Sequence, residues 1–341
     1  MKTLQHQRFV LSILLLVLAA GCQRIPMHER GAGIYLRVSI DQSLDPAMSA
    51  LLDFDARPSL RDIVVGKKPE LVRVCFYDAV SHELVAEDFL PAEGGFVNVA
   101  AGVYDVIVYN LGTEATQVSG TEVRAGGYAF TDPTGIRVKL LSAQAKEEGD
   151  EPIGTEEQPV IFEPDHVFAG KIAGAMVSVR PDDAEPEVLA TELSRISESW
   201  ILEIADIVGA EHIQNAEVYV TGQAAGRFLW DARTTNHPCA LGLETEIDIQ
   251  QGRLFSVFNT FGKYPQPDCD VMVYVLVTTN SNAHCLFVYD VTDQWLNPDN
   301  SAHLIRIGER MEIPGDDYHG SGFNPVVIGW DGVEIPVIIG Y

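Results

Sequence analysis

Residues 102–110 read GVYDVIVYN, and this stretch decides the fold. Val103, Asp105, Ile107 and Tyr109 alternate with Tyr104, Val106, Val108 and Asn110. The period is two, the composition is β-branched and aromatic, and glycine opens the run. That is the signature of a β-strand. Gly102 lets the chain turn into the strand at low cost. Tyr109 and Asn110 are placed to hydrogen-bond backbone at the strand end.

Similar runs lie on both sides. Upstream are GIYLRVSI (33–40), ELVRVCFYD (70–78), ELVAEDFL (83–90) and FVNV (96–99). Downstream are HVFAGKIAGAMVSV (166–179), SWILEIADIV (199–208), AEVYVTG (216–222), RFLWD (227–231), ETEIDIQ (244–250), LFSVFNTFG (254–262), DVMVYVLVTT (270–279) and HCLFVYDVT (284–292). Turn residues bound most of them. The connection over 41–69 has room for one short helix, and GAEHIQNA (209–216) for a single helical turn. No segment sustains a 3.6-residue apolar period, so a βαβ enzyme architecture is excluded. The expected class is all-β, with two tandem antiparallel β-sandwiches.

Residues 144–158, QAKEEGDEPIGTEEQ, hold six acidic residues and one lysine. Such a stretch cannot bury a face and reads as a solvated linker. It places an N-terminal sandwich at 33–158 and a C-terminal one at 159–341, although the same stretch also fits an insertion within one sheet. The C-terminal FNPVVIGWDGVEIPVIIGY (323–341) reads as a hairpin turning at Asp331-Gly332. Pro336 belongs at an edge or bulge.

The N-terminus carries a second message. Phe9 to Gly21 is about thirteen mostly apolar residues, against roughly 20 for a membrane-spanning helix. Lys2 and Arg8 precede it, and LAAGC closes it. This is a signal peptide over 1–21 with a lipobox, and Cys22 is the acylated first mature residue. Two or more acyl chains make such anchoring stable. Residues 22–32 form a tether. Loss of Lys2 and Arg8 with the signal takes the formal charge from −26 to −28. No nucleic acid is expected to bind, because phosphate neutralisation needs clustered basic residues.

Three longer stretches resemble the Bacteroidetes fimbrillin-like lipoproteins. AAGVYDVIVYNLG (100–112) is similar to their small-Gly-x-Tyr-x-(apolar)-x-x-Tyr-Asn strand. EPDHVFAGKI (163–172) resembles the opening of their second domain, and IVGAEHIQNAEVYVTGQAAG (207–226) their Gly-x-x-x-Ile-x-x-Ala segment. The resemblance implies two transthyretin-like sandwiches in an anchor or accessory subunit of type V fimbriae. In that family stalk subunits lose a first strand by proteolysis and are completed by a neighbour's strand. Here Arg37 lies within a strand and Arg57 precedes proline, so an anchor or accessory subunit fits better than a stalk. The resemblance implies an outer-membrane, surface-facing lipoprotein with fimbrial subunits as partners. Acidic residues expected soon after the acylated cysteine are absent until Glu29.

Candidate sites are few. Cys75, Cys239, Cys269 and Cys285 show no CxxC spacing, so zinc is not indicated. Cys239 and Cys269 read as loop residues and form the candidate disulfide. Cys75 and Cys285 read as buried. His237 with Cys239, and His284 with Cys285, cannot each make a site alone. PDCD and GDDYHGSG lack a calcium loop's ligand pattern. No metal, cofactor or catalytic residue is expected, and no enzyme activity. Trp200 alternates with Leu202 and Ile204 and reads as buried. Trp295, in TDQWLNPDN, is the candidate glycan platform. It supports the alternative function, a surface module for glycan or a host protein.

Overall fold

The computed structural model describes residues 33–139, 157–179 and 184–315, with the backbone alone at 139 and 324–327. Cys22, the signal, the tether, most of the acidic stretch, Trp330 and the Asp331-Gly332 hairpin lie outside the described residues. Among those described, no helix is long and apolar enough to cross a membrane.

With strands numbered in chain order, the first sheet has seven. Its order is β3 (Leu84–Pro91), β2 (Leu71–Asp78), β5 (Gly102–Asn110), β10 (Phe168–Val177), β11 (Glu187–Arg195), β1 (Ile34–Ile40) and β4 (Gly94–Val97). The sheet folds over one core. Ile34, Leu36, Val74, Phe76, Val106, Val108 and Phe168 fill it, all with no exposed surface. A second seven-stranded sheet runs β23 (Asn324–Val327), β20 (His284–Asp290), β19 (Met272–Thr279), β14 (Ile213–Ala224), β16 (Pro238–Leu243), β9 (Glu157–Ile161) and β8 (Pro133–Lys139). It faces a four-stranded sheet of β17 (Glu246–Asp248), β18 (Arg253–Thr260), β12 (Glu198–Ile204) and β21 (Leu304–Ile307). Trp200, Leu202, Leu254, Phe258, Val273 and Phe287 are buried in its core. A pair, β13 (Ile207–Val208) and β22 (Met311–Glu312), adds Ile207 and Met311 to that core.

The all-β sandwich reading stands. Antiparallel pairing dominates, but β1–β11, β12–β21, β13–β22, β16–β9 and β20–β23 run parallel.

The boundary after residue 158 is corrected. β8 and β9 pair with each other in the second sheet, so the acidic stretch joins two neighbours within it. The chain then returns. β10 pairs with β5 from Ala169↔Tyr109 to Val177↔Gly102, and β11 pairs with β1 from Ile34↔Glu187 to Ile40↔Leu193. The physical reason is burial: Phe168, Ala175, Val177 and Leu193 complete the first core. Composition does not say which sheet each flank of the acidic stretch joins.

Two further devices knit the sandwiches. A small sheet of β15 (Gly226–Phe228), β7 (Tyr128–Thr131) and β6 (Thr116–Ser119) brings Ala129 against Tyr77, Ile107 and Tyr109 on the first sheet's outer face. The connection 41–69 forms two short helices rather than one, Pro46–Leu51 and Pro58–Val65. Each opens on proline, whose fixed φ suits a first helical turn. Their Met48, Leu52, Leu60 and Val64 bury against Ile201 and Val257 of the four-stranded sheet. A segment that begins in the first sandwich therefore caps the second.

Candidate functional site

The residues singled out in the sequence do not converge. Cys239 and Cys269 are not joined by a disulfide. Cys239 is in β16 and faces the second core beside Leu241, while its neighbour Ala240 faces the opposite side. The Cys269 sulfur lies 3.9 Å from the Gln158 side-chain amide, on the Ala240 side of the sheet. Strand alternation thus puts the two thiols on opposite faces. Trp295 is 8% exposed and is not a platform. Its ring stacks on Trp200 at 3.9 Å, and His303 stacks on Trp200 at 4.6 Å. The turn TDQWL is one short helix that turns this ring inward. Cys75, Cys285 and Trp200 are buried as expected.

Polar chemistry gathers elsewhere, where β9 leads into β10 through Glu163-Pro164-Asp165-His166. The Asp165 Oδ2 accepts from three successive backbone N–H groups, Glu114 at 2.8 Å, Ala115 at 2.6 Å and Thr116 at 3.0 Å. The Asp165 N–H donates in return to Thr116 Oγ1 at 2.8 Å. One carboxylate thereby fixes the loop after β5. Asn110 does the same for the linker: its Oδ1 accepts from the Phe168 N–H at 2.7 Å and its amide donates to the His166 carbonyl at 3.4 Å. The strand-end hydrogen bond expected of Asn110 is present. Tyr109 instead accepts from Arg73 at 2.8 Å.

The helix Pro58–Val65 ends against this linker. Its last carbonyls have no partner within the helix. His166 Nε2 donates to the Ile63 carbonyl at 2.7 Å, and Asn259 Nδ2 donates to the same oxygen at 3.1 Å. Arg195 and Ser199 donate to the Val64 carbonyl. His166 Nδ1 is left to accept from the Ser197 hydroxyl at 2.9 Å, which makes the ring a neutral Nε2–H tautomer. Gly66 follows the helix at φ +78°, and a Cβ there would sit 2.9 Å from the His166 ring. Only glycine allows both the left-handed turn and the histidine.

Beside these groups is a cavity of about 550 Å³. Glu163 lies at its floor, and Ile63, Pro69, Leu71 and Leu111 contribute apolar wall. Glu163 Oε1 accepts from the Asn259 N–H at 2.7 Å. Burial, aided by the nearby Glu244 and Asp165 carboxylates, pushes the Glu163 carboxyl up to about 7. Burial, together with the nearby Arg195 guanidinium, lowers His166 to about 4. Burial lowers Arg195 too. The mouth is crossed by an exposed ion pair, Lys67 Nζ to Glu114 Oε1 at 3.3 Å. Among the described residues, no cluster of three or more His, Cys, Asp or Glu side chains could hold a metal.

Strand alternation in EPDHVFAGKI assigns no role to Glu163 or His166. The available signal was a run of charge and histidine between two apolar strands, with proline fixing the turn. Asn259, far along the chain, carried no such signal.

The family model for a domain of unknown function (DUF5119) matches residues 61–244, more than half of the chain and most of this junction. No curated protein matches in sequence. A crystal structure of a candidate adhesin from Bacteroides ovatus is similar, with 18% identity and a TM-score of 0.54. It covers 86% of this chain and 99% of its own, and it establishes a shared fold. A second candidate adhesin from Bacteroides ovatus covers 94% and 98% at 13% identity and a TM-score of 0.46. The fimbrial anchor protein Mfa2 from Porphyromonas gingivalis covers 80% and 89% at 10% identity and a TM-score of 0.45. The last two are too distant to bear on the argument.

Proposed function

Because this chain belongs to the DUF5119 family and shares the fold of a candidate Bacteroides adhesin, we propose that it is a lipid-anchored cell-envelope subunit. Its role is structural and adhesive, akin to fimbrial anchor or accessory proteins, and it is not an enzyme. Cys22 carries the lipid, the outer membrane is the site of attachment, and partners join by β-strand addition.

The observation that carries this reading is the placement of β1. The strand is internal, with β11 on one side and β4 on the other. Ile34, Leu36 and Val38 are buried. Arg37 sits in the ladder between Ala190 and Gly94. Arg57 opens the second helix, pairs with Glu246 at 3.3 Å and lies over the Phe255 ring at 5.1 Å. Neither arginine is presented for a cut that would release β1, which supports an anchor or accessory role over a stalk role.

Partner strands need an edge. The longest edge strand among the described residues is β3, of eight residues. Val85 and Phe89 are more than half exposed on it. The Phe89 N–H bonds only the Asp88 side chain, at 2.8 Å, so it points away from β2. Capture of fimbrial subunits from outer-membrane extract tests the reading. Phe89→Pro removes an outward N–H and should abolish capture, while Phe89→Ala should retain it. Equal capture by both variants refutes addition at β3. Cys22→Ser should lose metabolic labelling by an alkyne fatty acid, and persistent label refutes the anchor.

A further inference from the structure

We propose that the cavity above Glu163 takes the side chain of a lysine or arginine carried on an extended segment of a partner polypeptide. The inference rests on the assembly reading only for who supplies that segment. The cavity's size falls within the roughly 300–1,000 Å³ of ligand pockets.

Its floor has one open valence. Glu163 Oε1 is held by the Asn259 N–H, and Oε2 accepts no hydrogen bond among the described residues. No lysine or arginine pairs with it there; its charged neighbours are Glu244 and Asp165. The other floor groups are committed. His166 and the Asn259 amide serve the helix carbonyls, and Asn110 serves the linker. What remains unanswered in the floor is a negative charge.

The walls fit the rest of such a side chain. Ile63, Pro69, Leu71 and Leu111 offer aliphatic surface above the carboxylate, and Leu71 is half exposed. Lysine and arginine carry an apolar stem and a cationic head in that order. The lining has no Trp, Tyr or Phe on which a sugar ring would stack. An anion would meet Asp62, Glu70, Glu114 and Glu163 against only Lys67 and Lys68. Both lysines are already paired, to Glu114 and Glu93, and both pairs are solvent-exposed. Exposed pairs contribute little and open readily. The Lys67–Glu114 pair is therefore a weak bar across the mouth. A guanidinium on Glu163 would form a charge-assisted hydrogen bond away from solvent, the stronger kind.

The test uses the full chain in detergent and a fluorescent extended pentapeptide, Thr-Val-Arg-Val-Thr, against its citrulline counterpart. At pH 8 the arginine peptide should bind roughly tenfold tighter or better. Glu163→Gln keeps an acceptor for the Asn259 N–H, so melting should hold within about 2 °C while the preference disappears. Leu71→Arg, at a half-exposed wall, supplies a resident cation and should remove the preference as well. Binding should weaken from pH 8 to pH 6 as Glu163 takes up a proton. Equal binding of the two peptides, or an arginine preference that survives both substitutions, overturns the proposal. Failure to capture fimbrial subunits would instead sink the assembly reading and leave the peptide result standing.

Discussion

Acidification should loosen the linker through His166. Its folded pKa of about 4 is depressed from the ordinary 6.5 by burial and by Arg195. The stability it contributes is present above pH 6.5 and is lost as pH falls through 4. Two and a half units, at 1.36 kcal/mol each, set a ceiling of about 3.4 kcal/mol. Between pH 7.5 and 4.5 the expected loss is about 2.5 kcal/mol. Many carboxylates titrate in the same window, so the reference must be a variant. His166→Gln can still donate to the Ile63 carbonyl but has no proton to gain. Glu163 has the opposite sign: its contribution is present below its ordinary pKa and is lost as pH rises through about 7. It is common to both proteins and cancels. Urea unfolding of each at pH 7.5 and 4.5, followed by far-ultraviolet circular dichroism, gives the difference of differences. The gap between wild type and variant should close by about 2.5 kcal/mol on acidification. A gap constant within about 0.5 kcal/mol refutes a neutral, buried histidine at the helix end.

Trp295→Ala should lower stability by about 3–5 kcal/mol, because it empties the space beside Trp200; an unchanged melting curve would return Trp295 to the surface. Asp165→Ala strips three N–H groups of one acceptor and should cost about 1–3 kcal/mol, with faster hydrogen exchange at Glu114, Ala115 and Thr116; unaltered exchange there would contradict the role given to the carboxylate. Burial pushes the Cys239 thiol up, so in native protein it should resist alkylation that proceeds readily in urea, and equal rates would place it at the surface.

The strands were legible because alternation reports one buried face directly. Trp200 with Leu202 and Ile204 is the clear case, since every second residue enters the core. Asp105 shows where alternation misleads. The pattern makes it a polar residue beside Val103, yet it is 5% exposed. It pairs with Arg124 and accepts from the Gly174 N–H at 3.0 Å, which pins the bulge in β10. A charge inside a strand says nothing about a partner some seventy positions away. Trp295 failed for a related reason: turn composition gives a residue's backbone setting, whereas its ring follows the packing beneath. The cavity was illegible as a whole. Its floor joins Glu163, His166 and Asn259, and only the returning path of the chain brings Asn259 to the first two.

That returning path has a consequence for how the chain reaches its native state. Ile34 finds its partner Glu187 about 150 positions later, and β5 waits for β10. During synthesis the first core cannot close when its own early strands are complete. Two strand edges, on β1 and β5, stay unpaired until the segment ending at Arg195 has emerged, and open edges invite wrong pairing. Pairing over such separations should make folding slow, and the first sandwich closes only after β8 and β9 of the second sheet have been made. A fragment cut at residue 158 would carry its hydrophobic strands without the pair that closes them; any fragment meant to stand alone must run through Arg195.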